Sequence, residues 1–304
     1  MANWLQFYQH IPEKINPEIM HFGFFSVGWY AVMYLVAFFV VWQLLKKRLQ
    51  RGEDKNIFQK IDEEKNRNAK DKLRKKQETV FDFLLVCFLG AVIGGRLGYV
   101  LFYNLPFYLA HPLAIVSPLD PETGAFVGIY GMSYHGGLIG VFLAALFFAK
   151  RHGINFQTLS DFVVPAIPAG YFFGRVGNFL NGELYGRATD MPWGMYFSDD
   201  FVPILRHPSQ LYEALLEGLL LFIFFWFWRN EKKFQGKFLA FYFIGYAGAR
   251  FSGEFFREPD AQIGVLFDSV TLGQLFSIMM FLCGLTLLCR VWLSHFRSTG
   301  SHSE

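Results

Sequence analysis

Apolar residues along this chain gather in long runs separated by polar intervals. Seven runs approach the ~20 residues that span a bilayer, and they predict membrane helices at roughly 22–45, 80–103, 130–149, 158–178, 208–228, 237–256 and 270–292. The expected architecture is an all-α polytopic membrane protein, with residues 1–304 forming one membrane-embedded domain of seven transmembrane helices. The fourth and sixth runs each contain an arginine and several glycines. Small residues recur every fourth position at Gly90, Gly94 and Gly98; Gly136 and Gly140; Gly170 and Gly174; and Gly245, Ala249 and Gly253. In lipid such stripes are faces on which two helices approach closely. No internal repeat is visible, and no pair of matching halves of the kind many transporters carry.

Composition agrees with a membrane chain. Of 304 residues, 53% are hydrophobic and 19% aromatic, with 38 Phe. Only 17% are charged, against about 25% in an ordinary soluble domain. The polar intervals sort by charge. Segments 46–79, 150–157, 229–237 and the tail from Arg290 hold 21 of the 28 Lys and Arg, thirteen of them in 46–79. The opposite intervals, 104–129, 179–207 and 257–269, hold Arg187, Arg206 and Arg257 alone. The positive-inside rule then places the N-terminus outside and the C-terminus in the cytoplasm, as an odd number of spans requires. Segment 46–79 interleaves its lysines with Asp and Glu. It is expected to be a solvated cytoplasmic helix that sets topology, with a polybasic lipid-binding role as the alternative.

The first twenty residues lack a basic region followed by an apolar core, which argues against a cleaved signal peptide; Trp4, Phe7 and Tyr8 suit an interfacial anchor. Cys87, Cys283 and Cys289 lie in apolar runs without CxxC spacing, so neither a disulfide framework nor a zinc site is expected. No cofactor and no nucleic-acid partner is signalled.

Ionisable groups inside such runs cost about 2.5–3.5 kcal/mol each at a helix centre, so their positions carry information. With the orientation above, Tyr30, Arg96, Tyr99, His135, Arg175, Asn178, Tyr246, Arg250 and Glu254 all fall in outward halves of their spans. The inward halves are nearly pure Phe, Leu, Val and Ile. Three arginines with few acidic partners at that level point to an anion, and the anion of a leaflet is a phospholipid phosphate, which a guanidinium grips with a planar fork. For Arg96 a purely structural role is an equal alternative. Tyr246, Arg250 and Glu254 follow at i, i+4 and i+8 with Arg257 three further on, one helix face. An Arg250–Glu254 ion pair is the structural alternative there. His135 precedes Gly136 and Gly137, which would clear space beside it for a substrate, and an imidazole suits taking a proton from a thiol. His207-Pro208-Ser209 reads as the start of a helix, on which Gln210, Glu213 and Glu217 recur at helical spacing.

The densest polar stretch is Arg175 to Glu183, which includes Asn178 and Asn181. With it stand Trp29-Tyr30 and Met33-Tyr34, then Gly94-Gly95-Arg96-Leu97-Gly98-Tyr99, then His135-Gly136-Gly137-Leu138-Ile139-Gly140. His207 to Glu213 follows, and last Tyr246, Arg250, Glu254 and Arg257 with Glu258-Pro259-Asp260. In this order the motifs resemble the bacterial prolipoprotein diacylglyceryl transferases, from about Trp29 to Asp260. Segment 46–79 is longer than the resemblance leads one to expect, and the outer region 184–206, part of the outer loop 179–207, is shorter. The resemblance implies transfer of the diacylglyceryl group of phosphatidylglycerol to the thiol of a lipobox cysteine in a prolipoprotein signal peptide. A thioether forms and glycerol 1-phosphate is released, at the bacterial inner (cytoplasmic) membrane. It implies catalytic roles for His135, Arg175 and Arg250, and substrate binding by Tyr30, Arg96, Asn178, Asn181, Glu183, Tyr246, Glu254 and Arg257. An intramembrane serine protease fits less well, because Ser133 lies two positions from His135 in no convincing nucleophile motif. A lipid transporter would line both halves of its path with polar groups.

Overall fold

The computed structural model describes residues 2–22, 25–54, 57–64, 68–119, 121, 123–124, 131–200, 202–258, 265–266 and 270–300. Of the motif residues, Pro259 and Asp260 lie outside the described residues. Helices dominate. The long ones are Trp29–Gln50 (α1), Ala69–Phe102 (α2), Tyr134–His152 (α3), Ile167–Leu180 (α4), Ser209–Trp228 (α5), Phe238–Gly253 (α6) and Leu272–Gly300 (α7). Four stretches, Trp29–Gln50, Ala69–Phe102, Ser209–Trp228 and Leu272–Leu293, are long and apolar enough to cross a membrane. Their outward side chains are apolar too, Leu35 at 71% exposure and Phe227 at 74% among them. Such a surface is disfavoured in water and at home in hydrocarbon.

Three boundaries differ from the hydropathy reading. Residues before α1 form an antiparallel hairpin, Glu18–Phe22 (β1) with Phe25–Gly28 (β2), so the helix begins at Trp29 rather than near 22. The Trp29 N–H donates to Pro17 O at 3.0 Å and its indole to Asn16 O at 3.1 Å, which ties the hairpin back to the helix start. The α2 helix begins at Ala69, well before the apolar run, because Asn68 caps it and the charged stretch that follows is helix-forming. The fourth run is broken into Phe156–Val163, a 3₁₀ turn at Val164–Ala166 and α4. Pro165 and Pro168 lack the N–H groups a continuous helix would use.

The chain folds as two compact units, residues 46–159 and residues 1–45 with 160–304. In the first, α2 and α3 meet along glycines. A β-carbon on Gly98 would lie 2.8 Å from the Gly136 Cα, and one on Gly94 2.8 Å from the Gly140 Cα. Two of the stripes read from sequence, Gly90, Gly94 and Gly98 with Gly136 and Gly140, are therefore the seam itself. The charged segment of this unit is more than a solvated helix: Ile57, Phe58 and Ile61 are buried, and Arg48, 2% exposed, donates from Nε to Glu53 Oε2 at 2.9 Å. Lys76 bridges Asp54 and Asp62, at 2.7 Å each. Glu53, Asp54, Asp62, Glu64 and Glu78, seen in sequence as solvating charge, are ion-pair partners.

In the second unit Gly170 sits against Val41 and Ala37 of α1, and Gly218 against the Phe172 backbone of α4. At that close approach α5 widens into a π-helical stretch, Ala214–Leu220. Val164, Phe225 and Phe238 form one core cluster and Phe179, Met195 and Phe197 another. Tyr8 and Ile15 pack on the second, and the Tyr8 hydroxyl donates to Trp193 O at 3.2 Å. Trp4 and Phe7 remain exposed on the same short helix, Ala2–Gln9.

Candidate active site

Two motifs that are distant in sequence meet where α4 ends. Asn181 closes the helix, and Gly182 turns the chain at φ 73°, a left-handed conformation that favours glycine. Leu184 then adopts φ 58°, which costs a residue with a β-carbon roughly 1–2 kcal/mol. The start of α5 holds it there: Ser209 Oγ donates to Leu184 O at 3.0 Å, and Gln210 Nε2 donates to Glu183 O at 2.7 Å. Ser209 is thus a structural residue. So is His207, whose Nδ1 lies 3.1 Å from the Tyr212 hydroxyl and whose ring packs on Phe256.

From that anchored corner a polar network runs back into the helices. Arg175 donates from Nε to the Tyr171 hydroxyl at 2.7 Å and from Nη1 to Asn178 Oδ1 at 3.3 Å. Asn178 Nδ2 donates to Glu183 Oε1 at 2.9 Å, and the Tyr171 hydroxyl donates to Glu217 Oε2. Asn181 Oδ1 accepts the Tyr30 N–H at 3.2 Å, and the Tyr30 hydroxyl donates to that of Tyr34 at 3.0 Å. Tyr246 sits edge-on to Tyr171 with ring centroids 5.5 Å apart. The expected Tyr30, Arg175, Asn178, Asn181, Glu183 and Tyr246 are therefore joined in one constellation.

Its centre is Glu213 on α5, 1% exposed. Oε2 lies 2.8 Å from Arg175 Nε, while Oε1 lies 3.2 Å from Arg250 Nη1 and 3.4 Å from Arg257 Nη1. The Arg175 Nε hydrogen points at Tyr171, so the contact with Glu213 Oε2 is ionic, and that oxygen has no hydrogen-bond partner among the described residues. Glu217, one turn on, is fully buried. Arg250 Nη1 also lies 2.6 Å from Glu254 Oε2, and Thr271 Oγ1 donates to Glu254 Oε1 at 2.9 Å. The ion pair foreseen as the structural alternative on α6 is present.

This corrects the charge argument made from sequence. Of the three arginines it counted, Arg96, Arg175 and Arg250, the last two do not lack acidic partners: Glu213, Glu217, Glu254 and Glu183 stand among them and nearby Arg257. Two of these acids come from α5, a helix not counted among the contributors. Glu213, Glu217 and Tyr171 are the residues that sequence reasoning left out of the site. The available signal was the recurrence of Gln210, Glu213 and Glu217 at helical spacing inside an apolar run. Arg250 makes its contacts with Glu213 and Glu254 through Nη1, one of the three nitrogens of its guanidinium.

His135 and Arg96 belong to the other unit. Arg96 donates from Nε to Ile115 O at 2.8 Å, from Nη2 to Ala114 O at 2.6 Å and from Nη1 to Gly131 O at 3.3 Å, with Tyr108 under its plane. It clasps the segment between α2 and α3, which favours the structural side of its two readings. His135 is the second residue of α3, half-buried, with its ring edge-on to Tyr134. Ser133 caps that helix through the Gly136 N–H, and its own N–H donates to Gly95 O at 2.8 Å. The glycine beside His135 clears space for a helix: a β-carbon on Gly136 would meet the Gly94 carbonyl. The expectation that Gly136 makes room for substrate is corrected accordingly. Among the described residues no cluster of His, Cys, Asp and Glu could hold a metal ion.

Comparison with known proteins gives one consistent result. The family model for prolipoprotein diacylglyceryl transferase matches residues 17–290. The chain is 41% identical over 294 residues to the phosphatidylglycerol–prolipoprotein diacylglyceryl transferase of Chlorobaculum tepidum, covering 96% of this chain and 94% of that protein. It is 43% identical over 274 residues to the like-named protein of Bordetella avium, covering 90% and 94%. With that of Wolinella succinogenes it shares 49% over 213 residues, 69% of this chain and 76% of the relative.

Proposed function

The chain belongs to the prolipoprotein diacylglyceryl transferase family, and we propose that it transfers the diacylglyceryl group of phosphatidylglycerol to the thiol of a lipobox cysteine. The products are a thioether-linked prolipoprotein and glycerol 1-phosphate. The observation that carries this reading is the family match across residues 17–290, a span that contains the whole arginine–glutamate constellation.

The chemistry is a displacement at carbon. The thiol sulfur attacks the glyceryl carbon bonded to phosphate, a C–S bond forms, and the C–O bond to the phosphate breaks. Charge grows on the departing phosphate oxygens, and preorganised cations stabilise it there most effectively, because they need no reorientation during the reaction. Arg175 and Arg250 take that role, with Arg257 beside them. Asn178 and Glu183 hold Arg175 and the glycerol head group in register, and Glu183 forms no covalent intermediate. Tyr30, Asn181, Tyr246 and Glu254 line and brace the same lipid site. His135 accepts the thiol proton. Seven spans carry the chain across the bacterial cytoplasmic membrane, with the N-terminus outside and the basic segment 46–79 in the cytoplasm, as the distribution of Lys and Arg supports.

The test is direct. Purified protein in detergent is given phosphatidylglycerol and a signal peptide with a lipobox cysteine. The expected result is a peptide heavier by one diacylglyceryl group with stoichiometric glycerol 1-phosphate. A peptide that gains mass without glycerol 1-phosphate, or gains it equally when the cysteine is serine, would overturn the assignment.

A further inference from the structure

Glu213 faces three arginines, and the proposed reaction gives it no covalent or proton-transfer step. Its position creates a chemical conflict. A carboxylate resting on Arg175, Arg250 and Arg257 competes with any phosphate that approaches the same guanidinium groups. It cannot drift away to water, because the side chain is 1% exposed and α5 is pinned to α4 where Gly218 meets the Phe172 backbone. Oε1 accepts hydrogen bonds from Arg250 and Arg257 Nη1, while Oε2 makes none among the described residues and meets Arg175 by charge alone.

Charge bookkeeping on the reaction shows where such a competitor is useful. The arriving lipid is a phosphodiester monoanion. When sulfur displaces it and the thiol proton passes to a base, the departing group is a phosphate monoester dianion. Cations that stabilise its departure therefore bind the product more tightly than the substrate, and turnover needs something to offset that affinity.

We propose that Glu213 is a positioning residue that also acts as an internal competing anion, gathering Arg175, Arg250 and Arg257 and displacing glycerol phosphate from them after transfer. This rests on the reading of the arginines as the phosphate site. Two anions contending for one set of cations are coupled antagonistically, and coupling of this kind commonly amounts to about 5–150-fold in affinity. The consequence has an unusual sign. If Glu213 were only a structural brace, neutralising it would scatter the arginines and weaken anion binding. As a competitor, neutralising it strengthens anion binding.

The experiment measures glycerol 1-phosphate binding to the full-length protein in detergent, together with product inhibition of turnover, for wild type, Glu213→Gln, Glu213→Asp and Arg250→Gln. Glu213→Gln is expected to bind glycerol 1-phosphate on the order of tenfold more tightly. Its product inhibition should strengthen in step, and kcat and the KM for lipid should fall together. Glu213→Asp, with its carboxylate drawn back by one methylene, should show a smaller gain of the same sign. Unchanged or weaker binding in Glu213→Gln overturns the competitor role. If that variant does not fold, Glu213→Asp decides by the same criterion. Loss of binding in Arg250→Gln without a gain in either Glu213 variant defeats the competitor role and leaves the phosphate site standing. Equal binding by wild type and Arg250→Gln defeats the phosphate site itself, and the competitor with it.

Discussion

Arg250 and Glu254 face each other one turn apart on α6, Nη1 to Oε2 at 2.6 Å, and the same Nη1 lies 3.2 Å from Glu213 on α5. One guanidinium thus bridges carboxylates on two helices while keeping further N–H groups for a ligand. A lysine ammonium is a point charge on a flexible stem and cannot hold both carboxylates and a phosphate in one plane. Arg250→Lys is expected to lower kcat/KM by about 10²-fold, the scale on which a missing preorganised donor is felt. Initial rates of glycerol 1-phosphate release measure it. Full turnover by the folded variant would remove the planar contact from the mechanism.

His135 opens α3 on a helix start fixed by the Ser133 cap, so its ring is carried by a defined piece of backbone. His135→Asn keeps a hydrogen-bonding side chain and loses the titratable nitrogen. If the imidazole takes the thiol proton, turnover should drop by about 10²–10⁴-fold. The wild-type rate should rise with pH as the imidazole becomes neutral and then level off. A pH profile of unchanged shape in His135→Asn, at wild-type rate, would make His135 a structural residue. The field of the arginines would then have to activate the thiol.

The α2–α3 seam leaves no room for side chains. A β-carbon on Gly140 would overlap the Gly90 carbonyl, whereas one on Gly248 of α6 meets nothing within 4 Å. Gly140→Val is expected to force the helices apart at a cost of about 1–3 kcal/mol or more, and Gly248→Ala to leave stability unchanged. Thermal unfolding in detergent compares the two. An undisturbed melting temperature in Gly140→Val would mean the seam can widen freely.

Two groups in the stretch 184–207 make its stability depend on pH, in separate windows. Burial pushes the Asp200 carboxyl up, but the Arg206 hydrogen bonds, at 2.7 and 3.1 Å, outweigh it and hold the carboxyl below its ordinary range. A lowered acid contributes stability above its unfolded pKa, near ~4, and loses it as pH falls through the folded value. Asp200→Asn should therefore lower the melting temperature by about 2–4 °C at neutral pH and by nothing at strongly acid pH. Burial also lowers the His207 imidazole. A histidine held neutral costs stability as pH falls below its unfolded pKa of ~6.5, so His207→Gln should flatten the melting curve between about pH 6.5 and 5. Parallel curves for wild type and both variants would contradict these assignments.

Much of the molecule was legible in the chain alone. Apolar runs near bilayer length announced the long helices, because a helix in lipid must satisfy its backbone internally and clothe itself in hydrocarbon. Glycine stripes announced the α2–α3 seam, since spacing along one helix fixes which residues share a face. The Arg175–Glu183 stretch announced the buried polar constellation, because ionisable groups inside an apolar run are costly unless they find partners.

What sequence could not decide was which faces meet. Depth along a helix says how far a side chain lies from the membrane surface and nothing about its rotation toward a neighbour. Arg175 and Arg250 therefore looked short of acids, until tertiary structure turned Glu213 of α5 toward both and toward Arg257. Nor did depth show that three of the Arg96 donors go to the carbonyls of Ala114, Ile115 and Gly131. Gly136 looked like room for a substrate until α2 filled it. Composition and periodicity follow from the one-dimensional cost of placing each residue in lipid. Pairing of charges is a property of two surfaces at once, and it is settled only when the helices pack.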